Sequence, residues 1–306
     1  MTAPTTARVR AQAKLNLVLR VLARETTGYH QVESVLCRID LADEVVVRVV
    51  PRGRTLHCTG ERLPRGGLGP LERNLAWRAA GAYASVAGWP EGFAIEIDKR
   101  IPVGGGLGGG SADAGAVLRA LNALNPSPLP APALLGLAGS LGADVPFLTQ
   151  DQSPLALAWG RGEHLLALPP LPERACWLFC PDVSVATAEA YGWLADLPPH
   201  RAPVLYELPT LGSWEGIARI ARNDFEDVVA ARHPVIARTL STLRSPGAEG
   251  LLGADALVQL TGTGSTIYAL LGGDRRDAAA WRSDEPGLDV LQTSTATRVE
   301  PVIVTD

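Results

Sequence analysis

Residues 101–122 read IPVGGGLGGGSADAGAVLRALN: a strand end, six glycines around one leucine, and a helix opening at Ser111. Glycine lets the backbone take positive φ and bring its amides to an anion with no side chain in the way. The following helix adds unpaired N–H groups and the positive end of its dipole, so the turn is suited to cradling a phosphate. Ser111 stands where it could cap that helix or hydrogen-bond a phosphate oxygen. A flexible linker shares the composition but would not be clamped between an alternating strand and a helix. The Walker pattern GxxxxGK[ST] is not met, because Gly110 and not lysine precedes Ser111. Gly104, Gly106 and Gly109 do satisfy the spacing GxGxxG. A dinucleotide fold, however, requires a second strand ending in an acidic residue further on. The proline-rich NPSPLPAP (125–132) stands in that place.

Moving a phosphoryl group onto an alcohol needs more than a phosphate cradle. It needs a group that takes or guides the hydroxyl proton, cationic or amide support for the phosphoryl, and close positioning. Asp144, in the loop GADVPF between apolar segments, is the candidate for the proton, and Lys14 for the charge. Lys14 and Lys99 are the two lysines among 28 basic residues. A lysine that persists in so arginine-rich a chain points to a need for a compact point charge. The same hint applies to Lys99, at an ordinary strand end. Asn16 lies two residues from Lys14, so on a strand its amide shares the lysine's face. On residue grounds alone a bland alternative stays open, with Asp144 capping a turn and Lys14 snorkelling from its strand.

Period and punctuation give the elements that position these groups. Residues 9–21 alternate loosely as a strand carrying Lys14, and 31–40 and 44–50 read as two further strands after the turn Gly28-Tyr29-His30. Residues 53–70, rich in Gly, Pro and Arg, read as an irregular excursion. Residues 74–87 have helical apolar spacing, with Asn74 at the N-cap and Gly88-Trp89-Pro90 as the stop. Residues 93–99 form a strand, and 112–124 a helix that four prolines in 125–132 must end; 133–141 resume helix. Residues 142–148 are expected to be a loop entering a strand, and the prolines of 169–172 place a linker near 155–172. Strands at 177–180, 256–260 and 267–271 and helices at 186–194 and 228–243 follow. This non-repeating order predicts an α/β (α+β) protein of two lobes, 1–160 and 161–306.

At 306 residues, 46% apolar and 20% charged, the chain has the composition of a globular protein with room for two packed domains. A net charge of −4 supplies no broad basic field for nucleic acid or an anionic membrane, so neither partner is expected and phosphate must be held locally. Cys37, Cys58, Cys176 and Cys180 show no CxxC pair and no zinc spacing, and read as reduced core thiols. The opening MTAPTTARVRAQAK has no apolar h-region and no later run is long enough to span a bilayer, so a cytoplasmic protein is expected.

The string PVGGGLGGGSADAG resembles the phosphate-binding motif of the GHMP kinases, the superfamily of galactokinase, homoserine kinase and mevalonate kinase. AKLNL (13–17), TGYH (27–30), GADVPF (142–147), RNDFE (222–226) and LTGTGST (260–266) narrow the likeness. They resemble the branch that phosphorylates a sugar alcohol carrying a cytidine diphosphate group in non-mevalonate isoprenoid biosynthesis. The resemblance implies a two-lobed GHMP fold, with a ribosomal-S5-like N-terminal lobe holding ATP and a ferredoxin-like C-terminal lobe completing the cleft. It implies that Pro102, Val103, Gly104, Gly105, Gly106, Leu107, Gly108, Gly109, Gly110 and Ser111 wrap the ATP phosphates. Asn74 would meet the adenine, and Mg²⁺ would arrive with the nucleotide on ligands that the sequence does not name. Lys14 and Asp144 become the catalytic pair, and Asn16, Tyr29, His30 and Thr187 the acceptor site. The Tyr29 ring would stack on the cytidine base and the His30 imidazole hydrogen-bond to it. LTGTGST departs from the family's usual serines and proline but keeps the glycines and hydroxyls of an anion turn. A monomer or weak homodimer is expected. Another GHMP kinase, such as a homoserine kinase, and a nucleotide-binding regulator without catalysis are the alternatives.

Overall fold

The computed structural model describes residues 5–26, 30–195, 206–253, 255–273 and 286–306. In chain order the first part comprises β1 (Thr6–Arg24), β2 (His30–Val50), β3 (Arg54–Thr59), α1 (Leu75–Ala87), β4 (Gly92–Asp98), α2 (Gly109–Leu124), α3 (Ala131–Gly139), α4 (Val145–Thr149), β5 (Leu155–Gly160) and β6 (His164–Leu168). There follow β7 (Ala175–Pro181), α5 (Thr187–Ala195), α6 (Leu208–Leu211), α7 (Trp214–Ile220), β8 (Arg222–Asn223), α8 (Glu226–Ala230), α9 (Pro234–Leu243), α10 (Pro246–Leu252), β9 (Leu257–Leu260), β10 (Ile267–Leu270), β11 (Leu288–Ser294) and β12 (Ile303–Thr305). The strands make two sheets.

Among the described residues the first sheet runs β12-β1-β2-β4-β3, with β5 and β6 continuing from the far part of β2 and β8 beside β1. The apolar alternation of β1 and β2 pairs them antiparallel almost end to end. The break expected between 40 and 44 is absent, because Asp43 is no turn residue here. It is buried, and its carboxylate accepts from the backbone N–H of Arg100 and Ile101 at 2.6 and 2.8 Å. Helix α2 packs on β1 and β2 and is flanked by α1 and α4. Its small residues allow this crowding: a Cβ at Gly115 would lie 2.6 Å from Leu148 O of α4.

Four further readings of the sequence change. Within 53–70, β3 pairs parallel with β4. The stretch read as a linker holds the hairpin β5–β6, which extends the first sheet. Residues 145–149 are helical, not extended: Pro146 sits in the first turn, where its missing N–H has no intrahelical partner to lose. The helix expected over 228–243 is split into α8 and α9, because Pro234 cannot donate within a helix and starts a new one instead.

The second sheet has the order β11-β7-β10-β9, all antiparallel. Counted within this half, that is 4-1-3-2, the ferredoxin-like order. Phe179, Ile267 and Ala269 of this sheet pack with Phe225, Ile236 and Leu240 in a core of their own. No helix among the described residues is long and apolar enough to cross a membrane.

Candidate active site

The glycine-rich turn keeps its shape because both neighbouring segments hold its carbonyl groups. Gly104, Gly106 and Gly108 have positive φ, 80°, 81° and 73°. Leu107, the non-glycine residue of the run, is buried, which contributes roughly 2 kcal/mol toward anchoring the turn. A register shift in β1 between Gln12 and Lys14 frees the Lys14 N–H, which donates to Leu107 O at 3.0 Å. On the other side Thr266 N donates to Gly105 O at 3.1 Å and the Thr261 hydroxyl to Gly106 O at 3.4 Å. With these carbonyls engaged, the turn and the first amides of α2 line a cleft of about 590 Å³, to which every residue from Pro102 to Ser111 contributes. Gly108 is the N-cap of α2, not Ser111, which sits in the first turn facing the same cleft. A glycine turn that opens a helix in this way is suited to hold an anion.

Lys14 and Asp144 meet in this cleft. Lys14 is 3% exposed; its Nζ donates to Asn16 Oδ1 at 2.6 Å and lies 3.4 Å from Asp144 Oδ2. It does not snorkel. Asp144 occupies the N-cap position of α4 but makes no side-chain cap bond, and it remains 32% exposed. Its carboxylate is therefore turned to the lysine and the cleft. Asn16 is a junction as well as a wall residue. Its Oδ1 also accepts from Gly262 N at 2.9 Å, while its Nδ2 donates to Ser34 Oγ at 2.8 Å. The segment RNDFE has a local role: Asn223 Nδ2 donates to Leu260 O and Gly262 O, both at 2.8 Å, and so shapes the TGTG turn.

Lys99 is not an ordinary strand end. Its buried ammonium is paired with Asp43 and, at 2.7 Å, with Asp113, directly behind the glycine turn. Burial works against the charge on Lys99, but the two carboxylates outweigh it and raise its pKa. Burial pushes the Asp113 carboxyl up to about 7, with Lys99 opposing the rise and Asp43 adding to it. Sequence reading missed this triad, because only the fold brings Asp43 of β2 to the α2 N-terminus.

The far end of the cleft is aromatic. His30 stacks on Tyr191 of α5 with ring centroids 4.3 Å apart and an interplanar angle of 19°, and Tyr191 meets Phe225 edge-on at 4.9 Å. Tyr191 and Phe225 line the cleft with Thr187, whose hydroxyl is 3.4 Å from Thr263 Oγ1 of the TGTG turn. Tyr29 lies outside the described residues. Burial, with the Asp144 charge adding, raises the Tyr191 phenol to about 12, so it is neutral at ordinary pH. Tyr191 carried no sequence signal beyond its place in VSVATAEAY. Asn74 also lines the cleft, and its side chain caps α1 by accepting from Ala76 N at 2.9 Å and Trp77 N at 3.3 Å. The structure thus assembles Lys14, Asn16, Asn74, residues 102–111, Asp144 and Thr187 around one cleft, with His30 one ring away.

Two packed sheets with an amide cradle and a lysine–aspartate pair between them define a GHMP kinase, and the model of the GHMP kinases N terminal domain matches residues 74–152. The 4-diphosphocytidyl-2-C-methyl-D-erythritol kinase of Pelobacter propionicus is 36% identical over 90% of this chain and 93% of its own length. That of Geobacter sulfurreducens is 36% identical over 89% and 91%. A crystal structure of 4-(cytidine 5'-diphospho)-2C-methyl-D-erythritol kinase aligns with a TM-score of 0.71 and 32% identity over 94% of this chain and 98% of its own. Homoserine kinase from Cytophaga hutchinsonii shares the fold, with a TM-score of 0.62 at 17% identity over 99% and 98%. The chain belongs to the 4-diphosphocytidyl-2-C-methyl-D-erythritol kinase family.

Proposed function

We propose that this protein transfers the γ-phosphoryl group of ATP to the 2-hydroxyl of 4-diphosphocytidyl-2-C-methyl-D-erythritol, a step in making isoprenoid precursors by the non-mevalonate route. The observation that carries the reading is the Lys14–Asp144 pair, 3.4 Å apart between the amide cradle and the aromatic end of one cleft. Residues 104–111 hold the phosphates, and the adenine lies toward Asn74. The cytidine base lies toward His30, Tyr191 and Phe225, beside Thr187. Asn16 keeps one amide hydrogen beyond the bond to Ser34, and with it faces the acceptor.

In the transfer, Asp144 takes the 2-hydroxyl proton as the acceptor oxygen bonds to the γ-phosphorus. The bond from that phosphorus to the β,γ-bridging oxygen breaks, and ADP leaves. Lys14 stabilises charge on the phosphoryl group in flight, as the amides of the turn do. Mg²⁺ supplies neutralisation of phosphate charge when bound. The first 160 residues supply the ATP side, and residues 161–306 complete the acceptor side. The four cysteines are free thiols, which supports work in the cytoplasm.

Incubation with ATP and either the cytidyl substrate or homoserine tests the assignment. Phosphorylation of the cytidyl substrate alone is expected. Turnover of homoserine instead would overturn the acceptor, and ATP binding without any transfer would leave a regulator.

A further inference from the structure

Arg38 is buried in β2, 1% exposed, with no carboxylate pairing among the described residues. Its Nη2 donates to Phe147 O at 2.7 Å and Gln150 O at 2.9 Å, and its guanidinium lies 5.2 Å from the Phe147 ring centroid. Those carbonyls lie at the C-terminal end of α4, where helical carbonyls lack intrahelical donors. In the β1–β2 register Arg38 is the direct partner of Lys14, so the two side chains rise from the same face of the sheet. Lys14 meets Asp144 at the N-terminal end of α4, and Arg38 binds the other end. A helix of five residues is only about 7 Å long, so a tilt at one end displaces the other.

A buried guanidinium without a carboxylate is a poor choice for stability alone. An apolar side chain of similar volume usually does as well or better. Burial, with Arg119 adding to it and Asp151 opposing, holds its pKa down to about 9. Packing does not need this charge; holding the end of α4 does.

We propose that Arg38 is a positioning residue for the transfer: by holding the C-terminal carbonyls of α4 it fixes where Asp144 meets Lys14. The inference rests on Asp144 managing the acceptor proton. Misplacing a catalytic group by about 1 Å can cost on the order of 10²-fold, so even a partial tilt would be visible in kcat.

The test is a double-mutant cycle of Arg38→Met and Asp144→Asn, with ATP-analogue binding confirming a folded cradle. Arg38→Met is expected to lower kcat roughly 10-fold while the KM for ATP changes less than about twofold. Arg38→Lys, which can still donate to a carbonyl, should recover part of the loss. In the Asp144→Asn background Arg38→Met should change kcat no further, because the residue it positions is already inert. The same 10-fold loss in both backgrounds would reduce Arg38 to general structure and overturn the proposal, as would an unchanged kcat in Arg38→Met. If Arg38→Met does not fold, Arg38→Gln keeps a buried donor too short to span both carbonyls and should lower kcat at least about threefold; an unchanged kcat there is equally decisive against it. Full activity in Asp144→Asn would remove the base assignment itself, a distinguishable failure.

Discussion

Asn16 Oδ1 accepts from Lys14 Nζ at 2.6 Å and from the Gly262 amide at 2.9 Å, so one side-chain oxygen joins the cation of the cleft to the TGTG turn. The Asn16 backbone is held from the same side, its N–H by Thr261 Oγ1 at 3.2 Å and its carbonyl by Tyr268 Oη at 3.1 Å. The second register shift of β1, between Asn16 and Val18, makes these bonds possible. The cation and the two glycine turns therefore behave as one body.

Asn16→Ala should reveal that coupling. It removes the acceptor of the Gly262 amide and leaves the Lys14 ammonium with Asp144 alone, so kcat is expected to fall roughly 10²-fold and the KM for ATP to rise. A steady-state series in both substrates checks it. A rise confined to the KM of the acceptor would reduce Asn16 to a substrate contact.

Within the cradle, two glycines with nearly the same φ should respond differently to alanine. A Cβ at Gly106 would lie 2.1 Å from Thr261 O, whereas at Gly104 the nearest atom is Ser184 Oγ at 3.9 Å. Gly104→Ala carries only the left-handed strain of about 1–2 kcal/mol. Gly106→Ala must also part the two turns, so ATP affinity should drop at least about 10-fold further. Calorimetric titration with an ATP analogue measures both; equal losses would contradict the locked-turn description.

For the acceptor, the His30–Tyr191 stack makes Tyr191 the test residue. Tyr191→Ala should raise the KM for the cytidyl substrate about 10-fold and leave that for ATP unchanged, while Tyr191→Phe keeps the ring and most of the affinity. A matching rise in the KM for ATP would place the aromatic group at the wrong end of the cleft.

The buried triad gives a pH prediction. With its folded pKa raised from 3.8 to about 7, Asp113 keeps a proton in the native chain that the unfolded chain releases. Stability should fall as pH rises from about 4 to about 7 and change little from this group above that. Asp113→Asn removes the titration, so the difference in Tm between pH 5 and pH 8 should shrink. An identical difference in the variant would show that the triad does not titrate in this window.

How far these features could be read from residues alone depended on whether their causes were local. The glycine run, the strand of Lys14 and the loop of Asp144 are local patterns, and each took its place at the cleft. The helix 145–149 was misread because VPFLT is a short apolar run, and such runs do not distinguish a buried helix from a strand. Pro234 was a local signal that the periodicity of 228–243 obscured. Lys99, Asp43 and Asp113 come from three elements, as do Tyr191 and His30 from two. Their meeting is a product of tertiary packing, which spacing along one chain does not encode.

In the proposed mechanism Asp144, beside Lys14, takes the acceptor proton between a donor held at 104–111 and a cytidyl acceptor. Single-turnover transfer from ATP to the cytidyl substrate by Asp144→Asn, with both substrates saturating, measures it most directly. The rate is predicted to fall on the order of 10²-fold or more while the affinity for ATP stays within about twofold. Transfer at the rate of the unaltered enzyme would take Asp144 out of the chemistry.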